Sequence, residues 1–340
     1  MQRFRSVCLG VVSGILGASS LAAQYPLAPS PVLDLHSLTP DVRLGGYVSV
    51  RATERRDTVT FIVNRARVTA MTKPVPYAAL RIQVDFTATG RSSGDTVPAI
   101  VLTDAYVQLE PPSNSGVAKL HPALIVGQFR SPFALEFLTS FSLLQTVNRS
   151  LVVDRVSTRR EIGVLAQLLA TRRLLVQGAA VNGDGPNRLR NSDGRAMLFG
   201  RVTLFPIEHM AVAGKYMAEG GSHGWGGDSR WIGHGAIVEG EFIARRGRFD
   251  PSTTIDSHGG YVLASYKVRP WLQPAMKWEE LHDSRTTGGT TTTSHASYTT
   301  VGINLLSRGE RIRFQLDGIF KQEQPVSTGN ELVAQLIAIF

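Results

Sequence analysis

From Arg43 onward the chain alternates apolar and polar residues with a period of two. In Leu80-Arg81-Ile82-Gln83-Val84-Asp85-Phe86-Thr87-Ala88 every even position is apolar and every odd position polar. A strand sends successive side chains to opposite faces, whereas a helix would scatter these charges around its circumference. The same alternation runs through 62–68, 298–305 and 311–317, so each predicted strand has one apolar and one wet face. A soluble sandwich would also produce this pattern, and segment length separates the two. Many segments run for about 10 to 14 residues, beyond the ~5 or 6 usual in soluble strands and near the ~9 to 11 that cross a bilayer at a tilt.

Turn signals give the count. Thr171-Arg172, Pro206-Ile207, Arg269-Pro270 and Arg308-Gly309 read as tight turns, and the stretches 183–193, 220–228, 248–257, 284–293 and 322–329, rich in Gly, Thr or Ser, read as long loops. About fifteen segments emerge, and a closed single-chain barrel needs an even number. Gly233-His234-Gly235 supplies the missing turn, between a short strand from about Gly226 and one ending near Arg246. The fold class expected is all-β: a transmembrane antiparallel barrel of about sixteen strands over 42–340, wide enough to leave an aqueous channel. Its longest interruption, Ser131 to Thr158, follows the fifth strand, and a loop of that length has a function when it occurs inside a compact domain.

Composition then narrows the setting. Met1 to Ala23 carries Arg3 and Arg5, an apolar run and a small-residue ending, the pattern of a cleaved secretory signal peptide. Residues 24–41, rich in Pro and Leu, read as a periplasmic linker. The only cysteine, Cys8, would leave with the signal peptide, so neither disulfides nor thiolate metal sites are expected. No later apolar run is long enough for a membrane helix. A membrane reading therefore requires a barrel, placed in the bacterial outer membrane. Net charge is +9, and losing Arg3 and Arg5 takes it two units lower, to +7. Without a compact basic run this points to small anions or lipopolysaccharide as partners, and away from nucleic acid.

The stretch Val126-Gly127-Gln128-Phe129-Arg130-Ser131-Pro132-Phe133, with Leu135-Glu136, Leu138-Thr139-Ser140 and Asn148-Arg149-Ser150, resembles the phosphate-selective porin O and P family. Phe61 to Arg67, Gln83 to Phe86, Asp104 to Val107, Asn182 to Gly185 and Gly200 to Val202 fit the same pattern. The resemblance implies a homotrimer of sixteen-stranded barrels, each with an inward-folded loop and a series of arginines that draws phosphate-like anions through. The terminal strand, Leu332 to Phe340, resembles the signal read by the outer-membrane assembly machinery, with Leu332, Ala334, Leu336, Ala338 and Phe340 facing lipid.

Alternation alone sends Arg43, Arg51, Arg65, Arg67, Arg81, Arg130, Arg195, Arg201, Lys267, Lys277, Arg311 and Arg313 toward the lumen. It sends Asp85, Asp104, Glu110, Glu239, Glu241, Glu279 and Asp317 there too, so bases exceed acids by very roughly two to one. Guanidinium offers paired donors that match phosphate oxygens. The expected anion pathway comprises Arg65, Arg67, Arg81, Arg130, Arg149, Arg159, Arg160, Arg201, Lys267, Arg311 and Arg313, with the constriction formed by Arg130, Arg149, Arg159 and Arg160 facing Arg65, Arg67 and Arg81. The opposing reading is that these arginines only pair with the acids. Trp225, Trp231, Trp271, Trp278, Tyr261 and Tyr266 are candidates for interfacial girdles.

No catalytic residue, metal site or cofactor is expected. His223, Asp228 and Ser229 lie close in sequence but lack a nucleophile elbow, and Asn182 to Gly185 lacks the spaced carboxylates of a calcium loop. The function expected is an anion-selective porin for phosphate or polyphosphate. The alternatives are a general diffusion porin, a barrel lipid hydrolase and an adhesin with a plugged lumen.

Overall fold

The computed structural model describes residues 30–90, 97–112, 114–188, 190–191, 193–250 and 252–340. The expected signal peptide and the start of the expected linker lie outside the described residues. Sixteen strands form one closed antiparallel barrel. They are β1 (Arg43–Arg55), β2 (Thr58–Val75), β3 (Ala78–Gly90), β4 (Val97–Leu109), β5 (Ala123–Arg130), β6 (Arg160–Thr171), β7 (Leu174–Val181) and β8 (Met197–Leu204), followed by β9 (Met210–Glu219), β10 (Ser222–Gly233), β11 (Ala236–Asp250), β12 (Thr253–Tyr266), β13 (Leu272–Thr287), β14 (Thr290–Leu306), β15 (Ile312–Gln324) and β16 (Glu331–Ile339). Each pairs with its sequence neighbour, and β16 closes on β1 through Tyr47↔Ile339 to Glu54↔Leu332.

The barrel is inside-out relative to a soluble protein. Val262 and Met276 are more than half exposed on the outer wall, while Lys277, Asp317, Gln315 and Asn304 are buried within. Their alternation along β13 and β15 is strict. This arrangement suits an apolar exterior solvent and a polar interior, and it leaves no unpaired sheet edge. Among the described residues no helix is long and apolar enough to cross a membrane.

Because neighbours are antiparallel, β1 begins and β16 ends at one rim, called here the terminal rim. All four expected tight turns lie there, at 172–173, 205–209, 267–271 and 307–311, as does the His234-Gly235 turn between β10 and β11. The loops expected at the opposite, far rim need correction. Strands run through most of 220–228, 248–257 and 284–293, and β15 runs to Gln324. In those places only short connections such as Gly220-Gly221 and Gly288-Gly289 remain, whereas the expected 183–193 loop does lie between strands, in the 182–196 connection of β7 and β8. Threonine favours extended backbone, and Thr253 meets Thr287 at 3.2 Å and Thr286 meets Thr291 at 2.9 Å across the strands. These projecting hairpins are polar on both faces, so they lack the alternation by which strands are recognised. The Gly-rich 222–228 segment is strand because its neighbours press close. A Cβ at Gly226 would stand 2.2 Å from the Phe242 carbonyl oxygen.

A closed ladder with no edge should survive cold detergent and open only on heating. The folded chain is expected to shift its electrophoretic mobility on boiling and to give a β-dominated circular dichroism spectrum. A helix-dominated spectrum would contradict the architecture.

Candidate functional site: an arginine cluster inside the barrel

The segment 131–159 between β5 and β6 is clasped at its base, where Ser131 N donates to the Arg159 carbonyl (2.9 Å) and Thr158 Oγ1 to Ser131 Oγ (2.9 Å). It contains two short helices, α1 (Leu135–Leu138) and α2 (Leu151–Arg155). Its far end is tied to strands on the other side of the barrel. Leu135 N donates to Glu241 on β11 (2.8 Å), Leu151 N to Glu279 on β13 (2.6 Å) and Val147 N to Asp317 on β15 (2.8 Å). Arg51 Nη2 and Arg313 Nη1 donate to the carbonyls of Val147 (2.7 Å) and Leu144 (2.9 Å). Glu279 thus accepts from the first N–H of α2, which has no partner within the helix.

Apolar packing holds the same segment against half the wall. Phe133, Phe137, Val152, Val153 and Val156 join Ile125, Phe129, Leu165, Phe199, Met217, Ile243 and Leu281 in one buried cluster. This half of the interior is filled. The charged residues behind it are matched: Arg201 makes a bidentate pair with Asp228 (2.8 and 2.7 Å), and Lys215 bonds both Asp228 and Glu241. Lys277 lies between Glu279 (3.6 Å) and Glu136 (3.8 Å).

On the side of β2 to β6 the balance differs. Arg67 and Arg65 both reach Asp85, at 2.7 and 3.3 Å, while Arg160 and Arg81 take the two oxygens of Asp104, at 2.6 and 3.1 Å. Arg130 donates instead to the Leu138 carbonyl (2.7 Å) and Arg149 to the Glu136 carbonyl (3.3 Å). Arg149 lies over the rings of Phe137 (4.9 Å) and Phe141 (5.6 Å), with Arg65 also over Phe141 (5.5 Å) and Arg160 over Phe137 (5.5 Å). Six guanidiniums therefore gather around two aspartates, and Glu136 and Asp154 also act on Arg149, so roughly two to four positive charges stand in excess. Aromatic faces and carbonyl oxygens offset part of the cost.

Two β-bulges shape the cluster. Ser49 pairs with Arg65 but Val50 pairs with Val63, leaving Asn64 as an extra residue. Asn64 Nδ2 consequently bonds Gln335 (2.9 Å) inside the barrel while Arg65 reaches Asp85. On β4 the extra residue is Thr103, between Leu102 and Asp104, and it is buried beside Asp104. A bulge places two successive side chains where simple alternation would place one.

Toward the terminal rim the cluster opens onto a cavity of about 510 Å³ lined by Arg81, Arg130, Arg230 and Arg313, with Asp104, Glu239 and Glu310. The segment from Ser30 runs along its wall, where Leu33 N donates to Gln108 (2.6 Å) and Tyr106 Oη to the Pro31 carbonyl (2.5 Å). At the rim, burial alone would raise the Glu310 carboxyl, but Lys267 and Arg313 hold it below its ordinary value.

No family model and no curated protein matches this sequence. Solved structures do match. The outer-membrane channel DcaP of Acinetobacter baumannii superposes with a TM-score of 0.64 at 11% identity, over 88% of this chain and 97% of that one. OmpT of Vibrio cholerae in its trimer form gives 0.61 at 12% over 88% and 99%, and OmpF of Salmonella typhi, in complex with daunomycin, 0.59 at 11% over 88% and 97%. The chain has the porin-type barrel fold.

Within this barrel the expected pathway residues separate into groups. Arg65, Arg67, Arg81, Arg130, Arg149 and Arg160 come together, whereas Arg159 does not. It is exposed and hydrogen-bonded to the Asp154 carbonyl (3.0 Å). Arg201 is 2% exposed behind the filled half, away from the cluster. Lys267 pairs with Glu310 at the rim, Arg313 is buried against the loop, and Arg311 is exposed before β15 begins. Arg195 lies in the β7–β8 connection and Arg43 is exposed at the start of β1. The broad two-to-one excess is thus replaced by a local one, since Glu136, Asp228 and Glu310 add to the acids. Tyr261 is buried and faces inward, while Trp225, Trp271, Trp278 and Tyr266 are exposed outside. Asp228 faces inward and His223 outward, which separates the His223, Asp228 and Ser229 group. Arg230, which bonds Glu239 (2.7 Å) and Thr139 (2.7 Å), was hidden by the loop-like glycines before it. The alternation of 228 and 230 with 222 and 224 was its only signal.

Proposed function

We propose that this chain is an outer-membrane porin, without enzymatic activity, whose water-filled pore favours anions. The observation that carries the reading is the group of six guanidiniums around Asp85 and Asp104. A cluster with excess positive charge in a confined, partly desolvated space attracts an anion and repels a cation. Arg130 and Arg149, bonded to neutral carbonyls, retain charge that a passing anion would offset. Repeated guanidiniums with fork-like donors suit phosphate and polyphosphate through several weak sites. The resemblance of the 126–150 stretch to phosphate-selective porins supports the same substrate class, and the trimer form of a fold neighbour supports a homotrimer. Lipid and lipopolysaccharide would contact the apolar outer wall.

The test is single-channel recording in planar bilayers across a potassium chloride gradient, with inorganic phosphate then added. The expected result is a reversal potential of anionic sign and a chloride current that phosphate reduces. Cation preference would overturn the reading. A folded chain with no conductance would favour the plugged adhesin.

A further inference from the structure

On the outer wall, away from the pore, three histidines lie in one row across three adjacent strands. His258 on β12 pairs with His282 on β13, which pairs with His295 on β14. The rings of His258 and His282 are 5.0 Å apart and 16° from parallel, and those of His282 and His295 are 4.4 Å apart and 28° from parallel. Glu280 stands one outward position nearer the terminal rim. Its Oε1 meets His282 Nε2 at 2.9 Å and His295 Nε2 at 2.8 Å. The candidate ligand atoms of Glu280, His282 and His295 all lie within 4.8 Å of one another.

The row marks the edge of the apolar belt. Trp278 and Phe320, both exposed outside, sit level with Thr299. The next outward row is Glu280, Ser297 and Gln322, and the one beyond is His282, His295 and Gln324. The imidazoles therefore stand just outside the region that faces hydrocarbon, within reach of water and ions.

We propose that Glu280, His282 and His295 bind a borderline-soft divalent transition-metal ion of the Zn²⁺ type. Two imidazole nitrogens and one carboxylate oxygen are the donor types this ion takes, and three protein ligands leave an open position for water. The convergence of both Nε2 atoms on one oxygen has a plainer explanation, in which each imidazole donates an Nε2–H to Glu280, as a neutral ring already can. A metal would take the place of those two hydrogens, with the same three atoms turned to it as ligands. The binding measurements below separate the two arrangements. Hard ions such as Ca²⁺ and Mg²⁺ need more oxygen donors than the group offers.

The test uses the untagged full chain, folded in detergent and stripped with a chelator, titrated calorimetrically with Zn²⁺ in competition with excess Ca²⁺ and Mg²⁺. One ion per chain is expected, undisturbed by the hard ions. His282→Ala and His295→Ala should each weaken binding by about 100-fold or more, at least the loss that supporting residues around metal ligands cause. Glu280→Gln should keep a hydrogen-bond acceptor but still weaken binding. Co²⁺ loaded into the native barrel should show absorption bands of nitrogen coordination that the histidine variants lack. All variants are accepted only with native heat-modifiable migration. Absence of stoichiometric binding by the native chain, unchanged affinity in every variant, or displacement by Ca²⁺ would each overturn the proposal.

Discussion

Replacing Arg65, Arg67 and Arg130 together by glutamate is expected to turn the pore from anion preference to cation preference. The wild-type cluster sets six arginines against Asp85 and Asp104, with Glu136 and Asp154 also acting on Arg149, so roughly two to four positive charges stand in excess. Three reversals remove about six units and leave it roughly two to four negative. At an effective permittivity near 20, one charge about 5 Å from a permeating ion contributes ~3 kcal/mol. A tenfold change in relative permeability needs only about 1.4 kcal/mol, so even strong screening leaves a visible swing. Arg67 is buried against Asp85 at 2.7 Å, and a glutamate there faces like charge. A companion variant, Arg65→Gln with Arg130→Gln, avoids that repulsion and should weaken anion preference without reversing it. The reversal potential across a potassium chloride gradient reads both. Unchanged selectivity in either folded variant would remove these arginines from the filter.

The parts of the fold that were legible follow from one physical rule. Where a strand separates two different solvents, its side chains alternate, and Lys277 and Gln315 could be assigned inward from sequence because Met276, Trp278, Phe314 and Leu316 flank them, with Glu279 and Asp317 following in phase. Above the belt, Thr290 to Thr293 meet water on both faces and the rule loses its contrast. Alternation also fixes parity without fixing partners. Arg201 was placed on the inner face, but its partner Asp228 lies two strands away around the wall, beyond any local pattern. Arg159 and Arg160 show the limit at a strand end. Alternation counted back from the buried Gln167 and Leu165 would put Arg159 inward, yet Arg159 is exposed, and Arg160, the first residue of β6, is buried next to the equally buried Glu161 and joins Asp104. The bulges at Asn64 and Thr103 depend on the register of neighbouring strands, which single-strand periodicity does not contain. The aromatic faces under Arg149 required the path of 131–159 across the interior, which no local spacing encodes.

Deleting Phe340 is expected to lower the amount of assembled barrel while leaving export of the chain intact. Phe340 and Gly46 exchange both backbone hydrogen bonds, each at 3.0 Å, and so extend the β16–β1 ladder by which the sheet becomes a barrel. Losing the pair removes about 2 kcal/mol, at ~1 kcal/mol per bond, and exposes unpaired groups at the edge of the apolar belt, where no water replaces them. Its side chain is 61% exposed on the outer wall, where it is available for recognition during assembly. The ring also fits closely over Gly46, since a Cβ there would stand 2.8 Å from its Cζ and 2.1 Å from the Arg67 carbonyl oxygen. Phe340→Ala keeps the backbone bonds and removes only the ring, so it separates recognition of the aromatic group from closure of the seam. If recognition dominates, Phe340→Ala should match the deletion in membrane-assembled, heat-modifiable protein. If closure dominates, it should fall midway, and Gly46→Ala, which forces the seam apart while keeping Phe340, should reproduce the deletion. Normal levels of heat-modifiable barrel in the deletion itself would show that the terminal residue serves neither role.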